Sequence, residues 1–410
     1  MVERSKCMNV PEIRFKEFCD YYSDILLEKC LSVSNKKNNK LEYKKEDALS
    51  VSDEFGVVNQ IEHLGRSYTG YNISTYKILN KGQIVYTKSP LKLKPFGIIK
   101  VNKNKPGIVS VLYAIYDVKE GFDPNYISVY FEPNFRLNKY LLPLINKGAK
   151  NTINISDETA LSGEVHFPLS YTEQQKIAYY FQSLDSLIQT TSKKLASLKR
   201  IKAASLQSMF PQEGETVPKV RFKGFEGEWE KIPFGSFLKE SYERSTVENE
   251  DILLSSAITG VYLNSELFGH QRGASNIGYK KIKKNMLILS TQNLHLGNAN
   301  VNLRFEHGLI SPAYKVYEIV NISPLFLQQW IKMDSTKVFF LNATTAGASL
   351  CRKNIVWDDL YKQIVLIPSK NEQVKIGLFF SNLDKQISLQ TQRLEKLKQI
   401  KAACLDKMFV

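Results

Sequence analysis

Glu173 to Phe210 reads EQQKIAYYFQSLDSLIQTTSKKLASLKRIKAASLQSMF, and Glu372 to Phe409 reads EQVKIGLFFSNLDKQISLQTQRLEKLKQIKAACLDKMF. The two stretches align without a gap, and roughly half of their positions are identical. Residues step by three and four along both: Phe181, Leu184, Ile188, Thr191, Leu195 and Leu198 in the first, Phe380, Leu383, Ile387, Gln390, Leu394 and Leu397 in the second. That is the a/d period of a helix packing through a narrow seam. Thr191 and Gln390 are the polar members, at the matched place, where a polar residue fixes register at some cost in stability. Beyond Leu198 the seam continues through Ile201, Leu206 and Met209 with a skip, which predicts a local change of winding. Thr172 and Asn371 stand as N-caps, each followed by Glu in the first turn. A helix of this length spans about 57 Å at about 1.5 Å per residue. A seam this narrow predicts that the two helices pair with each other, rather than each packing only on its own domain.

Outward from the helices the duplication continues. Pro11 to Phe18 is PEIRFKEF and Pro218 to Phe225 is PKVRFKGF, after which Tyr22 matches Trp229. In the more divergent middles, Gly107 to Tyr113 lies over Gly308 to Tyr314, Tyr116 over Tyr317, Pro124 to Ile127 over Pro324 to Leu327, and Gly148-Ala149 over Gly347-Ala348. The chain is therefore one unit written twice, and a pseudo-two-fold molecule is expected. The boundaries follow: a tail at 1–10, a first variable domain at 11–166, a helix at 167–210, a linker at 211–217, a second variable domain at 218–366 and a second helix at 367–410. The variable domains carry short β-rich runs, among them 82–86, 98–101, 127–131 and 286–290, separated by glycine-bearing turns. Residues 123–144 and 323–340 read as helical. Each domain is expected to be α+β, with a modest mixed or antiparallel sheet and helices.

Of 410 residues, 43% are hydrophobic and 24% charged, a composition that folds. Lys and Arg number 56 against 41 Asp and Glu, a formal net charge of +15, which favours a polyanionic partner. Apolar runs such as Met286 to Leu289 fall far short of the roughly 18 residues of a membrane span. The N-terminal residues lead into no apolar stretch, so no secretory signal is expected. Five cysteines, scattered and without a C-x-x-C pair, argue against disulfide scaffolding and structural zinc and point to the cytoplasm.

The positive charge is concentrated. Between Arg66 and Lys105 there are nine Lys/Arg and no acid; between Leu267 and Phe305 there are six and again no acid. The windows occupy matching places in the two copies, with tyrosines and amides interleaved. Cations serve phosphates, while Arg, Asn and Gln make bidentate contacts to base edges. The DNA-binding candidates are Arg66, Tyr68, Tyr71, Lys77, Lys88, Lys92 and Lys94 in the first window, and Gln271, Arg272, Lys280, Lys281, Lys283, Lys284, Gln292, Asn293, His295 and Arg304 in the second. Turn formation is the alternative role for Gln292, Asn293, His295 and Arg304.

No catalytic constellation emerges. The five histidines are dispersed, outside any H-x-x-x-H or H-E-x-x-H setting, so no metal site is expected. Gly273 to Lys280 is similar to a phosphate-binding loop but has Tyr279 where Lys must follow the glycine. Asp123-Pro-Asn-Tyr126 is close to the D-P-P-Y of adenine methyltransferases, but its third residue is wrong, no glycine-rich loop precedes it, and the second copy reads Ser323-Pro-Leu-Phe326. A helix start explains both. Glu42-Tyr-Lys44 is an E-x-K without a partner Asp.

The whole arrangement resembles the specificity subunit of type I restriction-modification systems, the HsdS family. The carrying residues are Pro11-x-x-Arg14-Phe15-x-x-Phe18 with its repeat from Pro218, and Pro168 to Phe210 with its repeat from Pro368. Within the latter, Glu173-Gln174, Leu184-Asp185 and Leu206-x-x-Met209-Phe210 stand out, and the turn Gly347-Ala-Ser-x-x-Arg352 also fits. Tyr22 replaces the usual Trp, and Ala149 is followed by no matching Arg. The resemblance implies two target recognition domains, each reading half of a split DNA site with Arg352 among the contacts, and two helices forming an antiparallel spacer. It implies two methyltransferase subunits carrying S-adenosylmethionine and two ATP- and Mg-dependent restriction/translocase subunits as partners, with no cofactor in this chain and no catalysis by it. A stand-alone duplicated DNA-binding regulator is the alternative.

Overall fold

The structure, a computed structural model, describes residues 10–91, 93–147, 153–269, 275–349 and 352–410, with the backbone alone at 146–147, 346–349 and 352. The chain divides into two compact units. The first takes the residues up to Thr191 and from Arg393 onward; the second takes Ser192–Gln392. Each unit holds part of both long helices, Tyr171–Met209 and Lys370–Lys407.

The first unit is built on small antiparallel and mixed sheets with helices, as expected. One is antiparallel, in the order Leu31–Val33, Ala114–Val118, Ile84–Tyr86, Ile99–Val101. The other joins the hairpin Leu49–Ser52/Gly56–Asn59 to the pair Lys77–Leu79/Gly107–Val109 through a parallel bridge between Ala48 and Ile108. Strands Ser23–Leu26 and Glu164–Phe167 close the unit as an antiparallel pair.

The second unit repeats every step. Its antiparallel sheet runs Leu238–Glu240, Tyr314–Ile319, Leu287–Ser290, Ala299–Val301. Its mixed sheet runs Gly260–Leu263, Leu253–Ala257, His307–Ile310, Lys280–Lys283, with the parallel pair again in the middle. Glu230–Pro233 and Ile364–Ile367 close it. The aligned tyrosines occupy one register: Tyr116 lies opposite Ile84, and Tyr317 opposite Leu287. The aligned glycines, Gly107 and Gly308, begin or nearly begin one strand of that parallel pairing. A Cβ on Gly107 would lie 2.2 Å from the Asp47 carbonyl oxygen, and one on Gly308 would lie 2.5 Å from Leu254 Cδ1. Only glycine lets the strands approach this closely.

Residues 127–131, counted among the β-rich runs but also within the stretch 123–144 read as helical, are helical as far as the C-cap Phe131. Asp123 caps the helix Pro124–Tyr130 through its Oδ1, which accepts from Tyr126 N, and Pro124 supplies a preset first turn. Cap and core burial outweigh the modest helix propensity of Ile and Val. The helices Asn134–Leu141, Pro324–Trp330 and Asp334–Leu341 complete the helical stretches. The long helices also begin slightly before their expected caps. Ser170 Oγ accepts from Glu173 N, and Ser369 O accepts from Gln373 N, so Thr172 and Asn371 fall inside the first turn.

Within each unit the helix segments run antiparallel. In the first, Phe181 meets Phe409 at 5.9 Å and Asp185 meets Lys401 at 2.6 Å. In the second, Phe210 meets Phe380 at 6.1 Å and Lys202 meets Asp384 at 2.5 Å. Phe409 enters the first core beside Tyr126 and Tyr130, and Phe210 enters the second beside Trp229 and Phe326. Aromatic pairs of this geometry add about 0.5–1.5 kcal/mol each beyond their buried area. Among the described residues no helix is long and apolar enough to cross a membrane.

Candidate nucleic-acid interface

The motif residues first fix the frame. Arg14 donates through Nε and Nη2 to the two carboxylate oxygens of Glu173, at 2.7 and 2.8 Å, and Arg221 does the same to Glu372 at the same distances. Both carboxylates are almost fully buried. Gln174 Oε1 accepts from Asp123 N and its Nε2 donates to Pro168 O; Gln373 accepts from Ser323 N and donates to Pro368 O. The Glu-Gln pair thus ties the arginine-bearing motif and the short helix to the long one in each unit. Along the seam, Leu184, Thr191, Leu195, Leu198, Leu383 and Leu394 are buried. Ile188, Ile387, Gln390 and Leu397 are half-buried.

On this frame the basic windows, acid-free in sequence, are not acid-free in space. Lys77 (2.8 Å) and Lys88 share Asp157. Burial pushes the Asp157 carboxyl up, but the hydrogen bonds from Lys77 and Lys88 outweigh it and leave the group below its ordinary value. Lys94 lies 3.3 Å from Asp53 and donates to Glu132 O. In the second window Lys280 faces Glu240 (3.9 Å), Lys281 faces Glu250, Lys283 faces Glu243 (3.5 Å), Lys284 faces Glu306, and Arg304 forks onto Glu266 at 2.7 and 2.9 Å. Glu266 and Glu306 flank the second window directly, whereas Asp53, Asp157, Glu240, Glu243 and Glu250 come from more distant parts of the chain, where a scan of the windows does not reach. Lys77 and Lys280, the first residues of equivalent strands, are buried, and burial lowers the Lys280 pKa.

The remaining candidates divide between surface and interior. Arg66 stacks over Tyr68 at 4.6 Å, and Tyr68 and Tyr71 are exposed. Gln292 and Asn293 follow Ser290, whose Oγ accepts from both backbone N–H groups. His295 sits in the 3-10 turn Leu294–Leu296 with its imidazole buried, which places it inside the domain and not among exposed base readers. Lys92, Gln271, Arg272, residues 148–151 and the glycine of the loop at 273 lie outside the described residues, as does the Arg352 side chain. Among the described residues no three His, Cys, Asp or Glu side chains gather as for a metal ion.

A further basic segment lies outside the acid-free windows. Lys36, Lys37, Lys40, Lys44 and Lys45 lie between the strands Leu31–Val33 and Leu49–Ser52, and Lys45 stands 4.9 Å over the exposed Tyr71 ring. Five lysines within ten residues were visible in the sequence, but Glu42 among them defeats a search for acid-free stretches.

No family model matches the chain, and no curated protein matches it. Solved structures do. The type I restriction-modification S subunit from M. genitalium is 13% identical with a TM-score of 0.58, over 98% of this chain and 99% of that one. The HsdS subunit from Thermoanaerobacter tengcongensis is 12% identical with a TM-score of 0.43, over 95% and 96%. A chain from a structure on complex assembly and conformational transition of the type I R-M system is also 12% identical with a TM-score of 0.43, over 95% and 97%. The fold is that of the S subunit from M. genitalium, end to end: paired α+β units built on two long helices.

Proposed function

We propose that the chain is the sequence-specific DNA-binding specificity subunit of a type I restriction-modification complex. Each unit reads one half of a bipartite site. The observation that carries this reading is the duplication itself: one frame, matched to individual hydrogen bonds, presents two different sets of polar and cationic side chains. A frame built twice with divergent surfaces suits two different half-sites on one duplex. The S-subunit fold supports the same reading. On it, adenine methylation and ATP-dependent cleavage belong to two methyltransferase and two restriction/translocase subunits in the cytoplasm, which bring S-adenosylmethionine, ATP and Mg, while this chain directs them without catalysing. The first test enriches duplexes from a randomised library with the full chain, alone and with methyltransferase subunits. A split consensus that needs the partners for full affinity is expected. One uninterrupted site, bound as tightly by the chain alone, would replace this reading with a stand-alone regulator.

A further inference from the structure

The two units share a backbone but not an electrostatic design, and the difference lies in one equivalent segment. Ser34 N donates to Ile115 O and Ser241 N to Val316 O, both at 2.8 Å. Lys36 O accepts from Ile78 N, and Glu243 O from Lys281 N, both at 2.9 Å. Lys37 bridges Lys77, and Arg244 bridges Lys280. Asn38 N donates to Tyr76 O, and Ser245 N to Tyr279 O. The two segments thus correspond position by position over 34–38 and 241–245, and beyond that the first is the longer.

Their charges are opposed. Residues 34–48 hold five lysines against Glu42, Glu46 and Asp47; residues 241–252 hold Arg244 against Glu243, Glu248, Glu250 and Asp251. In the second unit the acids are spent on neighbours: Glu243 on Lys283, Glu250 on Lys281, Asp251 on His307, and Glu248 on Ser275 and the Asn276 amide. In the first unit, among the described residues, none of the five lysines makes an ion pair, and all but Lys45 are exposed. Buried Asn38 holds their loop in place: its Nδ2 donates to Tyr43 O and Ile73 O, and its Oδ1 accepts from Tyr43 N. Lys45 over Tyr71 and Arg66 over Tyr68 add two cation–aromatic pairs beside it.

We propose that the first unit supplies most of the sequence-independent phosphate grip on duplex DNA, through the lysine segment 36–45, while the acidic segment 243–251 holds Lys281 and Lys283 of the second unit in internal pairs. Resting on the DNA-binding reading above, this makes the two halves unequal: one anchors electrostatically, and the other binds with little counterion release.

The test is the salt dependence of binding of the full chain to a short duplex of arbitrary sequence. The slope of log K against log salt flattens by about 0.9 for each phosphate that the protein no longer neutralises. Replacing Lys36, Lys37, Lys40, Lys44 and Lys45 by Gln flattens the slope by several such steps, and replacing them by Arg leaves it. Replacing Lys281, Lys283 and Lys284 by Gln changes it by less than one step. Replacing Glu243, Glu248 and Glu250 by Gln and Asp251 by Asn steepens it. Equal flattening from the two Gln sets, or none from the first, overturns the proposal while leaving DNA binding intact. Failure of the unaltered chain to hold duplex even at low salt overturns the DNA-binding reading as well.

Discussion

Two residues at one place, Glu132 and Lys332, show how far duplicated frames tolerate change. Each follows the C-terminal cap of the equivalent short helix, after Phe131 and Ile331. Glu132 accepts from Lys401 at 2.5 Å. Lys332 instead donates to the Ile258 and Ala299 carbonyls at 2.7 and 2.8 Å. Burial, with Lys202 and Lys337 adding repulsion, pulls its pKa down to about 8. A lysine whose folded pKa lies below its unfolded value of about 10.4 costs stability while charged, and the cost is relieved as pH rises from the folded to the unfolded pKa. Unfolding midpoints should therefore rise from about pH 8 towards pH 10 relative to Lys332→Met; parallel profiles for the two proteins would remove the argument. Arg14 and Glu173 give a larger effect. Arg14→Met strands a buried carboxylate and should cost about 3–5 kcal/mol in denaturant unfolding, with part recovered in Arg14→Met/Glu173→Met. A double variant no more stable than the single would show that the pair is not the unit of stability.

At the scale of elements, the close approach beside the parallel strand pair predicts an inequality. A methyl group at Gly107 meets the Asp47 carbonyl, which cannot turn aside, whereas one at Gly308 first meets the Leu254 side chain, which can. Gly107→Ala should cost more than Gly308→Ala, both within or above the about 1–3 kcal/mol of overpacking. Urea midpoints decide it, and a reversed order would mean that the sheet shifts more readily than a leucine. These glycines were legible in the sequence as an aligned pair, but their reason was not, because it depends on Asp47 and Leu254, far off along the chain. The long helices were legible almost to their ends, since a period of three and four needs no distant partner. The run at 127–131 read both ways because β-branched residues speak for a strand locally, while Asp123 and Pro124 commit the chain to a helix. The window lysines misled: their cations were plain, and most of the carboxylates that meet them come from distant parts of the chain, Glu266 and Glu306 at the window's edges excepted.

For the whole molecule, the packing of the cores bears on whether the halves can be exchanged. One unit buries its aromatic cluster around Tyr126, Tyr130, Phe167, Phe181 and Phe409, with a smaller core around Leu79, Val85 and Ile115. The other buries Phe210, Trp229, Phe326 and Phe380, with a smaller core around Ile282, Ile288 and Val316. Among the described residues, none belongs to the cores of both units. Residues 20–165 rest on the frame through fixed groups that include the Asp123 amide on Gln174, Tyr22 near Glu173 and the Met408 carbonyl, Glu132 on Lys401, the Arg136 guanidinium on the Leu405 carbonyl, and the aromatic rings that receive Phe409. A replacement for 20–165 taken from another protein of this fold, keeping the short helix with its aromatic face and a Tyr or Trp at position 22, should seat on the same frame. Assembled with methyltransferase subunits and mapped by the sites it methylates, such a chimera should change one half of a bipartite site and leave the other half untouched. It should also lose the steep salt dependence wherever the incoming domain lacks the lysine segment 36–45. A change in both halves would mean that the units read DNA jointly, and that the separation of their cores does not extend to their surfaces.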